Sequence, residues 1–202
     1  MRHTLRMDAE TIARDEAIWI RSLVDTGQRM AALDGSHLLG WGLFAGLVLS
    51  LQYLAEVGDW LPSAVLWLWQ PAALAGFILS MFVLRRGAGR RLGNPVSRAY
   101  TASFCSAGVG LGVFMLASSA SNLPDGHAAA MLLAALMGSA FLVLALTARL
   151  AWMVWPALGW WGVLCFYAAQ ATLVPLDWLR LAAACVVLLA LPGAVLMRQS
   201  RS

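Results

Sequence analysis

The chain contains no lysine, so all 14 of its basic residues are arginine. Charge of either sign is scarce, at 12% Asp, Glu, Lys and Arg where a soluble domain carries roughly 25%. Hydrophobic residues make up 61% of the 202 positions. A globule of this size cannot hide so much apolar surface, which excludes an ordinary water-soluble domain and makes lipid the expected solvent. Absent lysine with abundant Ala, Gly and Trp also matches the composition of a GC-rich bacterial genome.

Other scarcities exclude whole classes of chemistry. The three cysteines, Cys105, Cys165 and Cys185, fall inside apolar runs without metal-ligand spacing. That pattern predicts buried, inert thiols instead of a disulfide framework or a zinc site. Of the three histidines, His3 lies in the terminal segment, while His37 and His127 open different apolar runs. The expected topology puts those two on opposite sides of a hydrocarbon core about 30 Å thick, so they cannot share a haem or metal. No nucleophile–base constellation or carboxylate pair is visible, so neither an enzyme nor a cofactor is expected. The formal charge of +4 does not signal a nucleic-acid partner, because the arginines flank apolar runs, where membrane topology accounts for them.

Six runs have the roughly 20 apolar residues that one membrane crossing needs: 37–57, 62–84, 99–119, 128–147, 151–172 and 176–197. Turn or charge signals separate them: Gly58-Asp59, Arg85-Arg86-Gly87, Asn122 to Gly126, Arg149 and Pro175. The expected fold is an all-α integral membrane protein of six transmembrane helices. Residues 1–36 form a cytoplasmic N-terminal segment, 37–197 the membrane domain and 198–202 a cytoplasmic tail. Thirteen of the arginines would lie on one side and only Arg180 on the other. The positive-inside rule then puts both termini in the cytoplasm of a bacterial inner-membrane protein. The first apolar run starts too late and runs too long for a cleaved signal peptide.

Within the runs, Gly42 and Gly46, Ala72 and Gly76, and Gly108 and Gly112 are spaced four apart, which lets helix backbones approach closely. Such pairs serve packing inside one bundle or a seam between two copies. Pro71 and Pro156 predict kinks. Asp34-Gly35-Ser36-His37 and Asp125-Gly126-His127 form a faint echo between the halves, too weak to establish an inverted repeat.

Before the first run, residues 8–30 read as an amphipathic helix. Ile12, Trp19, Ile20 and Leu23 share its apolar face, and Glu16 is the charge set into that stripe. Residues 1–36 carry five arginines and six acids, a poor match to an anionic lipid surface. The helix is expected to dock on protein: the chain's own loop with Arg85, Arg86, Arg90 and Arg91, a separate partner, or a second copy. Contact with the lipid bilayer is the further alternative.

Apart from Glu56, Asp177 and Arg180 near their ends, the runs hold no Asp, Glu or Arg, which argues against a buried proton relay or a charged pore. Neutral polar residues remain. Gln52, Gln70, Ser118, Asn122 and Gln170 fall at one outer level, where they either hydrogen-bond between helices or line a shallow outward cavity. Two functions follow: an accessory or scaffolding subunit acting through its cytoplasmic surface, or a small permease. An in-plane cytoplasmic helix, six spans and a loop between the second and third resemble ABC-2 permeases in architecture. The chain is short for that family and has no re-entrant segment between its fifth and sixth runs.

Overall fold

The computed structural model describes residues 35–58, 76, 95–120, 126–172 and 174–199. Among these residues every regular element is a helix. Helix α1 spans Gly35–Gly58, α2 Pro95–Ala120, α3 Gly126–Ala148, α4 Val154–Ala168 and α5 Pro175–Gln199. Four of them are long and apolar enough to cross a membrane: α1, α2 (over Arg98–Ser118), α3 and α5. At 1.5 Å per residue each of the four whole helices exceeds about 30 Å. They coincide with the first, third, fourth and sixth apolar runs. The second run lies outside the described residues except Gly76.

The fifth run behaves differently. Its first residues form a 3-10 turn, Ala151–Met153, and the α-helix that follows has only 15 residues. Pro156 sits in the first turn of α4, where backbone N–H groups have no intrahelical acceptor anyway. The expected kink at Pro156 is therefore a helix start.

Local chemistry sets the other boundaries. Pro175 occupies the first turn of α5, where its fixed φ suits a helix start. At the end of α3, Arg149 adopts a left-handed φ of 55°, and Leu150 N–H reaches back to Ala145 O at 3.0 Å. This six-to-one bond is the Schellman ending, which favours glycine at the left-handed position. Arginine there bears a steric cost that glycine would not.

Helix α5 is interrupted. Residues Val186–Ala190 form a π turn between the α-helical stretches Pro175–Cys185 and Leu191–Gln199. Pro192 supplies the cause, since it has no N–H and its ring crowds the carbonyl four residues back. The wider turn accommodates both effects.

Packing orders the helices. Helix α1 runs antiparallel to α5 along its whole length, by backbone approach. A Cβ on Gly42 would stand 2.5 Å from Ala190 N, and one on Gly46 2.7 Å from Val186 Cγ2. Gly35 and Gly193 meet at the start of α1, each against the other's carbonyl oxygen. The spaced glycines of α1 thus face a helix of the same chain. Helix α4 lies antiparallel to α5 with Gly159 against Leu188, and α3 to α4 with Gly138 against Trp161. Helix α2 lies antiparallel to α3, Phe104 meeting Phe141 edge-on at 5.4 Å. The circuit closes where Tyr100 Oη and His37 Nδ1 hydrogen-bond at 3.3 Å, so α1 and α2 begin at the same end. Phe141, Leu144, Met153, Ala157 and Trp160 are fully buried in the shared core.

Candidate functional site

The candidate partner surface (Ile12, Glu16, Trp19, Ile20, Leu23, Arg85, Arg86, Arg90 and Arg91) lies outside the described residues, as do Gln70 and Asn122. The other three members of the outer polar set are described. Gln52 is on the last third of α1, Ser118 near the end of α2 and Gln170 just past α4. All three sit at the end of the bundle opposite His37. They stand on different elements: α1 and α4 flank α5, while α2 packs on α3. Gln52 Nε2 donates to Glu56 Oε1 at 3.3 Å within its own helix. The side-chain carbonyl oxygens of Gln52 and Gln170 are buried and have no hydrogen-bond partner among the described residues.

The same end carries an organised polar cluster whose contacts the sequence pattern did not single out. Asp177 lies in the first turn of α5 and its side chain is wholly buried. Val174 N–H donates to its Oδ2 at 2.9 Å, and Arg180 Nη1 donates to its Oδ1 at 2.7 Å. The Asp177 N–H donates in turn to Val174 O at 2.8 Å. The carboxylate therefore caps the helix from its third position and holds the guanidinium one turn along. Tyr167, on α4, donates its hydroxyl to Asp177 O at 2.9 Å. The Arg180 guanidinium lies 5.4 Å from the centre of the Phe166 ring, within cation–π range. His127, at the start of α3, meets Tyr167 edge-on at 6.2 Å. Three helices are thus joined at one end by directional contacts.

Chemically this cluster is a clamp. Both carboxylate oxygens of Asp177 are engaged, and the positive charge of Arg180 is cancelled beside it. The described residues include no group of three His, Cys, Asp or Glu side chains able to hold a metal. Asp177 before Arg180, just after Pro175, was the available sequence signal, since an acid in the first turn after a proline marks a helix start.

The opposite end has a different charge. Arg98, Arg149 and Arg198 are the described charged residues there, with no acid among them. Comparison of the chain with protein-family models, curated proteins and solved structures finds no match.

Proposed function

We propose that this is a bacterial inner-membrane protein crossing the bilayer six times with both termini cytoplasmic. On this reading it serves as an accessory, regulatory or scaffolding subunit. Its working surface is the N-terminal amphipathic helix together with the arginine-rich loop at residues 85–98. The observation that carries this reading is where the charge lies. The helices meet through glycine, alanine and aromatic contacts, and every described charge stands at one end or the other. Function is then exerted at the ends, and the soluble mass is concentrated at the arginine-rich end.

Two further points support the topology. Helices α1 and α2 begin at the same end, which is the arrangement a crossing between them would give, and the second apolar run is long enough for one. The α4 segment, with its 3-10 turn, is about 29 Å long, close to a hydrocarbon core. The positive-inside rule then puts Arg98, Arg149 and Arg198 in the cytoplasm.

The test is a mild-detergent pull-down of the full-length protein beside a form lacking residues 1–30. A specific partner that is lost on truncation is the expected result. A protein that purifies alone in both forms would sink the partner reading. The second reading, a small permease, is favoured by the unpartnered oxygens of Gln52 and Gln170 and by the π turn in α5, since such turns recur at functional sites. Capture of an ATPase by the full-length chain would bring that reading forward.

A further inference from the structure

We propose that the arginine end of the bundle is a docking surface for anionic phospholipid, with Arg98, Arg149 and Arg198 holding the headgroup phosphates. This goes beyond the proposed function and needs only that the helices lie in a membrane, whichever way round.

Charge is settled differently at the two ends. At the Asp177 end the Arg180 guanidinium has its acid 2.7 Å away. At the other end Arg98, Arg149 and Arg198 are all exposed, and no acid is described beside them. Two of them stand where local structure resists them. Arg98 is in the first turn of α2, which holds no acidic residue, and a helix start disfavours positive charge. Arg149 keeps a left-handed φ of 55° that glycine would adopt without cost. Membrane topology asks only for positive charge on that side, which Arg85, Arg86, Arg90 and Arg91 supply already.

The apolar surface says what kind of anion belongs there. On α2, Val109, Val113 and Leu116 follow Arg98 at helical spacing, and all three are exposed. On α5, the exposed Val195 and Leu191 precede Arg198 by one turn and two. Leu146 is exposed one turn before Arg149, and Trp155, in the first turn of α4, is 73% exposed at the same end. An indole at that level anchors a helix among headgroups. Each arginine thus ends an outward apolar stripe. A ligand for such a surface has a negative head and apolar tails. The tails lie along the stripes and the phosphate meets a guanidinium, whose fork suits it. An acidic protein segment would match the charge and leave the stripes unused.

The experiment titrates full-length protein in mild detergent with phosphatidylglycerol or phosphatidylcholine of the same acyl chains. Native mass spectrometry counts the bound lipid. Phosphatidylglycerol should bind in preference, weakening roughly fivefold for each arginine replaced, the size expected of one basic residue at an anionic surface. A triple variant, Arg98→Gln with Arg149→Gln and Arg198→Gln, should keep little of the preference. Inorganic phosphate should compete no better than chloride at equal ionic strength, since it has no tails. Arg149→Gly keeps the test open if the triple variant misfolds, because glycine relieves the left-handed turn. In phosphatidylcholine nanodiscs its thermal midpoint should equal or exceed that of the unmodified protein. Its rise in midpoint on changing to phosphatidylglycerol should be smaller. Equal binding of the two lipids by the unmodified protein would overturn the proposal, as would a preference or midpoint rise that survives these substitutions unchanged. Displacement of the lipid by phosphate alone would overturn the part given to the stripes.

Discussion

Helix α5 is held in two different ways along its length, and the contrast shows how one helix uses two kinds of physics. At its first turn the contacts are directional. Asp177 binds Val174 N–H and Arg180, and Tyr167 reaches across from α4. From Val186 to Gly193 the contacts are shape alone, with Gly42, Gly46 and Gly35 of α1 admitting the α5 backbone. Polar contacts suit the end of a bundle, where water and headgroups make partial exposure tolerable. Close packing suits the middle, where lipid tails give apolar side chains no reason to associate and only better contact between helices does.

The largest test of that contrast is Gly193→Val. Its Cβ would meet the carbonyl oxygen of Gly35 at 2.7 Å and the Leu38 carbonyl carbon at 3.0 Å. Backbone atoms cannot yield as a side-chain tip can, so a loss of about 3 kcal/mol is expected, at the upper end for overpacking. Unfolding midpoints in a detergent titration read it directly. Asp177→Ala removes the acceptor that caps α5, and about 1–2 kcal/mol should be lost. The ion pair adds little to this, because Arg180 is 47% exposed. Thermal midpoints should fall less than for Gly193→Val, and the opposite ranking would reverse the comparison.

Tyr167→Phe deletes one hydrogen bond and keeps the ring, for a loss of about 1 kcal/mol. Hydrogen exchange at the first turn of α5 should rise while exchange near Gly193 stays unchanged. The smallest effect has the other sign. Gly40 has nothing within 4 Å of where its Cβ would be, so Gly40→Ala should stabilise α1 by about 0.5 kcal/mol through helix propensity. Equal damage from Gly40→Ala and Gly193→Val would show that glycine content matters in α1 and α5, and their contact does not.

Much of the helical architecture was legible in the sequence. Four apolar runs match membrane-length helices closely because length and hydropathy are local properties. Gly42 and Gly46 announced close packing through their spacing. Their partners did not, since Ala190 and Val186 lie well over a hundred residues away and no local pattern names them. Pro156 and Pro192 show the limit of reading a proline. One starts a helix and the other accompanies a π turn, and the difference lies in the preceding backbone. Of the outer polar set, sequence spacing found the end of the bundle where Gln52, Ser118 and Gln170 lie. It did not single out the contacts that join Asp177, Arg180 and Tyr167 there.

The turn at Arg149 has a consequence for how the chain is made. Only Arg149 and Leu150 stand between α3 and the 3-10 turn, so on the proposed six-span topology the two arms would reach the membrane as one tight hairpin. Whatever machinery receives the growing chain must accept them as a hairpin, tip first or tip last. On the proposed topology, the fixed positive charge of Arg149 at that tip is what keeps it on the cytoplasmic side.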